Sequence, residues 1–577
     1  MVLLTSTLFT TQLNSKPEVR LVNNGDQEFI IYPQQSPDVV IIQQVLFDPN
    51  NISTFVYNKG IFNIDYRLSN TPGLEWPKNS NPGPGQGTFA CFTSGLSISA
   101  KIIGQLRQAM ASYTGEYAQG YIDGIGGPAL TDSRFRVYWI ESSSTPTNNP
   151  DYAQWGDMVP FGAPYDDKNN NHQYDPGVDK PGIKNAEQTL FVCLTDGFPE
   201  EHTLGEGFGG GTPPMMAQVQ LTAWGYNKPG LRDMQFFKWV VINKNSNAWD
   251  STFIGVVVDP DLGWGNDDYI GCDTTRNLGY CYNADNDDDI SMSNNAYGLN
   301  PPAFGMDLFT GSVNHSVTPS DTLGLTSFVY FTNTGSLPPP CESDPNGEPI
   351  GAYNMLQGLK KDLTPWYNPL TGLRTKFTYP GDPETAVGWT EFRGSVTNCF
   401  GDSITLSNVL LTNPAGDRRF VFNSGADNFV MAPGDTQTFV MAQFVARGTN
   451  NLNSVTKLKE LSEVAQHLYD TGFVIGVKPI SSTIPEGFNL YQNYPNPFNP
   501  TTNIRFEIPR ASLVKLIVYD ILGREVAMLV NEKLSAGSYE VVWPAPMGSG
   551  SGYPSGVYFY QLYTENYSET KKLILTK

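Results

Sequence analysis

A multi-domain, all-β architecture is predicted for this 577-residue chain by three features of its sequence. Glycine (56) and proline (43) punctuate it throughout, yet aromatic residues make up 12%, a content too high for disorder and usual in turn-rich sheet proteins. Apolar and polar residues alternate over short runs, the period of half-buried strands, and only one stretch carries a convincing helical period. The length exceeds one ordinary core, and at roughly 150 residues per domain about three or four units are expected.

Charge and cysteine use narrow the classes. Lys and Arg total 36 against 57 Asp and Glu, a net −21 that repels nucleic acid and anionic membrane surfaces and makes metal cations the natural small partners. No run of about twenty apolar residues occurs, so no transmembrane helix is expected. The six cysteines, Cys91, Cys193, Cys272, Cys281, Cys341 and Cys399, form no CxxC pair, which excludes a zinc ribbon or a thioredoxin-type motif. They stand either as buried thiols or as disulfides, with Cys272 and Cys281 the expected pair.

In chain order, residues 1–210 form a β-rich region. Within 96–113, LSISAKI alternates as a strand, and for GQLRQAMASY a hairpin turning near Gly104 is preferred over a helix. The Gly-rich GEGFGGGTPP (Gly205 to Pro214) marks a break, after which 211–476 is expected to form a sandwich. Its strands are placed at Phe236 to Ile242, Phe253 to Val258, Ser327 to Phe331, Arg419 to Phe422 and Thr438 to Val445. The single helix is placed near 454–470, where Leu458, Leu461, Ala465 and Leu468 make a core-facing stripe and Ser454 or Asn453 is positioned to cap. Prolines and serines in VKPISSTIPEG predict a linker over 477–487.

Two acidic regions have cation chemistry. In YDDKNNNHQYDPGVD, oxygen-bearing side chains recur at every second position, Asp167, Asn169, Asn171, Gln173 and Asp175, with Asp179 following. Ca²⁺ takes six to eight oxygen ligands, and such a loop presents them from one side. His172 stands where an EF-hand needs glycine, and Asp179 lies one residue late, so the loop is closer to a surface calcium repeat; the alternative is a solvated Asx-turn loop. The second region holds Asp259, Asp261, Asp267, Asp268 and Asp273, whose like charges repel unless a cation or solvent intervenes. Asp259 and Asp261 end a strand, where their geometry is fixed enough to hold an ion. Asp285, Asp287, Asp288 and Asp289 read as a solvated loop.

Catalytic signals are sparse. None of the four histidines, His172, His202, His315 and His467, sits in HExxH, and no GxSxG elbow occurs. Cys193 and His202 form the one close Cys/His pair, but Cys193 lies in the apolar run LFVCL and reads as a core thiol. Glycosidase chemistry needs only two carboxylates, for which Glu200, Glu201 and Glu206 are the candidates. Ten tryptophans offer sugar-stacking surfaces or, more ordinarily, core anchors. Three-residue patterns starting at Asp250, Asp273, Asp321 and Asp402 resemble the O-glycosylation signal of Bacteroidetes and are too short to carry an assignment.

From residue 488 the chain reads as a string of short strands. Ile504, Phe506 and Ile508 alternate, as do Leu516 with Val518, Val541 with Trp543 and Val557 with Phe559, with turn residues between. About seven such runs predict a small immunoglobulin-like sandwich over 488–577. NYPNPFNPTT (Asn493 to Thr502), VYDILGREV (Val518 to Val526), SGVYFYQL (Ser555 to Leu562) and the terminal KKLILTK, in that order, resemble the C-terminal sorting domain of type IX secretion cargo. PMGSGSGYP (Pro546 to Pro554) departs from that pattern within a turn. The resemblance implies export across the outer membrane through the type IX translocon, with the domain removed and the cargo released or attached to lipopolysaccharide. MVLLTSTLFTTQLNSK lacks a basic n-region and a small-residue cleavage site, so the inner-membrane leader is expected to lie upstream or to have been trimmed. EWP (Glu75 to Pro77), FVCLTDGFPE (Phe191 to Glu200), DDYIGCDTTRNLGY (Asp267 to Tyr280) and APGDTQTFVMAQFVARG (Ala432 to Gly448) resemble an extracellular module of type IX cargo in Bacteroidetes and Ignavibacteria, from which no activity carries over. The expected function is that of a calcium-stabilised structural or adhesive protein at the cell surface, self-associating into a filament or sheath; the alternative is a secreted glycan-acting enzyme or a glycan-binding protein.

Overall fold

The alternation seen in the sequence becomes two large antiparallel sheets sharing one core. A computed structural model describes residues 20–24, 27–31, 42–67, 71–79, 85–202, 207–333, 339–396, 398–400, 410–411, 413–470, 472–473, 477–481, 484–499, 501–544 and 554–576. The first sheet has ten strands and runs from Arg20–Asn24 through Gln27–Ile31, Ile42–Phe47, Thr54–Tyr57, Ile61–Phe62, Thr93–Ile102, Asp250–Asp259 and Arg418–Gly425 to Ser327–Thr332. Gln105–Ala109 folds back on Thr93–Ile102 through Gly104, whose φ of 71° suits the turn, as expected. Among the described residues the second sheet has nine strands, with Gln188–Thr195, Ala217–Gly225, Met234–Asn243, Thr436–Ala446 and Ala303–Thr310 as its successive central members.

Period-2 alternation feeds two cores at once. In Met234–Asn243, Phe237, Trp239 and Val241 face the first sheet, where Phe237 packs on Phe62 with ring centroids 4.6 Å apart. Met234 and Phe236 face the other way, toward a helix. The same division holds in Thr436–Ala446, with Phe439, Met441 and Val445 inward and Val440, Ala442 and Phe444 outward. Burying both faces explains why these strands are almost continuously apolar.

Three helices occur among the described residues: α1 (Pro150–Gln154), α2 (Pro349–Leu356) and α3 (Asn451–Asp470). The predicted helix is α3, which starts three residues early and lays Leu458, Leu461, Ala465 and Leu468 on the outer face of the second sheet. It approaches closely because residue 305 is glycine: a Cβ there would lie 2.7 Å from Leu458 Cδ2. Helices α1 and α2, only 5 and 8 residues long, are too short to show a helical period and were not expected.

Several expectations need correction. The break near 205–214 does not divide the body: Thr93–Ile102 pairs with Asp250–Asp259, and Gln188–Thr195 pairs with Ala217–Gly225. The linker is partly ordered, since Val477–Ser481 is a strand paired with Gly537–Pro544. Cys272 and Cys281 are free, because their register sets Cys281 opposite Ile270 and Cys272 opposite Gly279; the disulfide joins Cys341 and Cys399. The C-terminal unit has two four-stranded antiparallel sheets around Ile504, Phe506, Leu516, Val518, Val541 and Trp543. In Gly556–Thr564 it is Tyr558, Tyr560 and Leu562 that face the core, not Val557 and Phe559. Most of the 546–554 insertion lies outside the described residues.

Candidate cation sites

Strand register assembles the principal site. Asp259 ends Asp250–Asp259, and the pairing that sets Val258 opposite Phe420 brings it to the Arg419 end of the neighbouring strand, just after Asp417. Asp259, Asp261 and Asp417 each place a carboxylate oxygen within 4.8 Å of the others. Arg419 lies among them, 3.2 Å from Asp259 Oδ2 and 3.1 Å from Asp417 Oδ1. The Tyr113 hydroxyl donates to Asp259 Oδ2, and Asn333 Nδ2 donates to Asp417 Oδ2 at 3.0 Å. Asp259 is 4% exposed, yet its Oδ1 has no hydrogen-bond partner among the described residues.

The electrostatics agree with that geometry. Three carboxylates meet one guanidinium, so two negative charges remain when all are ionised. Burial, only partly offset by Arg419, pushes the Asp259 carboxyl up to about 6. Asp261 is raised well above the ordinary carboxylate range by burial and by the charges of Asp259 and Asp417. Part of its side chain meets solvent, but its Oδ1 is so close over Gly265 that a Cβ there would lie 2.4 Å away. Hard oxygen donors with a charge deficit of two suit a divalent cation of the Ca²⁺ kind.

The neighbouring carboxylates divide. Asp268, fully buried, accepts from Leu262 N at 2.9 Å, and Asp288 accepts from Trp264 N at 2.9 Å and Tyr297 N at 2.6 Å. Burial pushes Asp267 to about 7 and Asp288 to about 6, and raises Asp268 strongly with help from Asp267. Asp288 is therefore a structural anchor, not the solvated group expected. Asp273 is engaged elsewhere: it accepts from Thr275 and pairs with Arg276 at 2.9 Å and Lys459 at 3.7 Å, docking α3. Burial opposes its ionisation, but Thr275 and these two cations hold it below the ordinary range.

The Asn-rich loop is closed by the ladder between Tyr165–Asp166 and Lys180–Pro181. Asn170 and His172 adopt φ of 56° and 61°, so His172 takes the left-handed conformation for which glycine was expected. Asp167 accepts from His172 N at 2.8 Å and Asn171 N at 3.3 Å. Desolvation acts against it, but the amides of His172, Asn170 and Asn171 hold it below the ordinary range. Asn169 and Asn171 both donate to Asp175 Oδ2, at 2.8 and 2.7 Å, and Gln173 N donates to Asn171 Oδ1 at 2.8 Å. Asp179 is buried and accepts from Lys168 N at 2.8 Å and Asp175 N at 2.7 Å, pinning the loop.

Cys193, His202 and Glu201 are placed in the fold's interior or in ion pairs. Cys193 is buried, which pushes its thiol up to about 12. His202 faces Glu116 Oε1 at 3.3 Å and Asp196 Oδ2 at 3.5 Å, and its Nε2 lies 2.8 Å from the Asp196 carbonyl. Desolvation disfavours its charge, but those two carboxylates prevail and raise it to about 10. Glu201 pairs with Lys59, Glu200 stands exposed, and Glu206 lies outside the described residues. Asp417, Arg419 and Tyr113 were not among the residues expected at the site; the acid-base run Asp417, Arg418, Arg419 at a strand start was the signal for the first two.

Residues 492–576 match the family of secretion system C-terminal sorting domains. The chain is a type IX secretion cargo protein, exported to the cell surface or extracellular space. Among the described residues no helix is long and apolar enough to cross a membrane. No curated protein matches the chain. Among solved structures, a polysaccharide lyase aligns at 6% identity over 62% of this chain and 34% of its own, with a TM-score of 0.16. The chain thus spans about a third of that lyase's length. The trimeric ectodomain of the C. elegans fusion protein EFF-1 aligns at 8% identity over 97% of this chain and 95% of its own, with a TM-score of 0.13. At these scores neither fold nor activity carries across.

Proposed function

We propose that this protein is a calcium-stabilised structural or adhesive protein of the cell surface that works by self-association and without catalysis. The observation that carries it is the Asp259 carboxylate, buried beside Asp261 and Asp417 with one oxygen unpartnered among the described residues. Burying an ionised carboxylate without compensation is costly, and a divalent cation supplies the missing ligation and charge. The Asp167 to Asp179 loop is a second, solvent-facing calcium candidate, with Asn169, Asn171, Gln173 and Asp175 as oxygen donors.

Self-association is supported by how the sheet edges are finished. Ser327–Thr332 is bordered by bridges to Phe377 and Ser343, and Asp268–Asp273 donates to Glu391 and to the Tyr379 carbonyl. Tyr138–Glu141 is capped by Asp151 and Ser144. Arg20–Asn24, last in the ten-stranded sheet, has no outer partner among the described residues. An open edge is a template for a strand from another subunit. Calorimetric titration of EDTA-treated protein with Ca²⁺, beside negative-stain microscopy with and without Ca²⁺, tests both parts. Heat of binding and ordered polymers are expected. No heat and no rise in melting temperature would sink the calcium site, and polysaccharide turnover by the purified chain would replace this reading with a glycan-acting enzyme.

A further inference from the structure

We infer that Lys360 and Asn398 form a site of covalent self-modification, at which the lysine amine and the asparagine amide join in an intramolecular isopeptide bond with loss of ammonia. Lys360, Glu342 and Asn398 are 0%, 1% and 7% exposed. Lys360 Nζ lies 2.5 Å from Glu342 Oε1 and 3.2 Å from Asn398 Oδ1, and it also donates to the Asn398 carbonyl at 2.9 Å. It sits over the Trp366 ring, 4.6 Å from the centroid.

Amine, acid and amide are thus gathered out of water in the arrangement that acyl transfer needs. The amide carbon is one bond from an oxygen already in contact with the amine, so nucleophile and electrophile meet without rearrangement. The second oxygen of Glu342 accepts from the Tyr330 hydroxyl, which fixes the carboxylate against the amine. The Cys341–Cys399 disulfide joins the residue before Glu342 to the residue after Asn398, tethering acid and amide side by side. Asn398 Nδ2, the nitrogen that leaves, is buried with no hydrogen-bond partner among the described residues. A buried donor left unpaired costs free energy, which its departure recovers.

The step balances within these three side chains. Glu342 takes one proton from the ammonium, and two neutral groups replace two charges held away from water. The lone pair of the amine forms the bond to Asn398 Cγ while the carbonyl pair moves to Oδ1. As that pair returns, the Cγ–Nδ2 bond breaks; Glu342 hands its proton to Nδ2 and takes a second one from Nζ. Ammonia departs, Glu342 ends protonated, and nothing is oxidised or reduced.

The bond is independent of the calcium reading, and its test is run in EDTA so that either can fail alone. The full chain, oxidised at Cys341 and Cys399, is denatured, reduced and weighed by mass spectrometry, then alkylated and digested with trypsin. A mass lower by one ammonia is expected, with the peptide carrying Lys360 still joined to the one carrying Asn398. The joined peptides distinguish this bond from ring closure at Asn398 alone, which loses the same ammonia. Glu342→Gln should lower the joined fraction, sampled soon after synthesis, by about a hundredfold, the low end of general acid–base catalysis. The wild type decides whether the bond exists even where that variant fails to fold. Separate peptides in the wild type, or joining undiminished in Glu342→Gln, overturns the assignment.

Discussion

Replacing Asp259 with asparagine should invert the stability order of variant and wild type between EDTA and calcium. Burial moves the Asp259 carboxyl from an ordinary 3.8 to about 6. At about 1.36 kcal/mol per tenfold, keeping it ionised at pH 7.5 burdens the calcium-free fold by on the order of 3 kcal/mol. Because the folded-state value lies above the unfolded one, the burden is absent below about pH 4, grows with pH, and is complete above about pH 6. Asparagine keeps the shape and removes the charge. Arg419 then loses one partner but retains Asp417 at 3.1 Å, so a net gain of roughly 1 to 2 kcal/mol is expected in EDTA. With calcium at a hundredfold excess over Kd, the wild type gains about 2.7 kcal/mol, and the variant, short of a ligand, gains little. The assay is urea unfolding followed by tryptophan fluorescence, which reports the body because Trp543 is the one tryptophan beyond residue 477. A variant less stable than wild type in EDTA at pH 7.5, or one gaining as much from calcium, would refute the reasoning. So would an EDTA difference that persists at pH 4.

Further outcomes are expected elsewhere in the chain. Native protein should show no thiol reactive with a disulfide reagent and four after denaturation, since Cys91, Cys193, Cys272 and Cys281 are free and buried. Cys341→Ser should cost about 4 kcal/mol by the chain-entropy model, given a 58-residue separation, measurable as a lower urea midpoint. His202→Ala should destabilise by roughly 3 to 5 kcal/mol at pH 6, because Glu116 and Asp196 are left buried without their cation. The raised value of His202 means its contribution is whole below about pH 6.5 and lost as pH rises through about 10, so the variant's deficit should shrink toward pH 10. Gly305→Ala should cost roughly 1 to 3 kcal/mol by pushing Leu458 and α3 outward, and unchanged thermal stability would contradict that packing. Deleting residues 1–31 should abolish any polymers seen by negative stain while leaving the body's melting transition in place, and polymers that survive would assign assembly to another surface.

What was legible in the sequence is what is local. The strand at Phe236 to Ile242 and the stripe from Leu458 to Leu468 are properties of single segments, and the strand and the buried face of the helix lie where the sequence places them. Alternation gives a period without a phase: it sets Val557 and Phe559 on one face of their strand, while the core takes Tyr558 and Tyr560 from the other. Spacing likewise brought Cys272 near Cys281 but not into register. The Gly-rich stretch has the composition of a domain break, yet Glu116 accepts from Gly211 N, and Asp196 from Met215 N and Ala217 N, so buried carboxylates fasten that chain inside a single unit. The acidic site shows the same limit. Asp259 and Asp261 were visible because they are adjacent, whereas Asp417 reaches them only through the pairing of Asp250–Asp259 with Arg418–Gly425. Charge density alone also included Asp273, which two cations from a loop and α3 neutralise. A carboxylate becomes a cation ligand when its neighbours fail to neutralise it, and those neighbours are chosen by strand order. At Asp259 that order supplies one guanidinium to three acids, and the unmet charge is what calcium would answer.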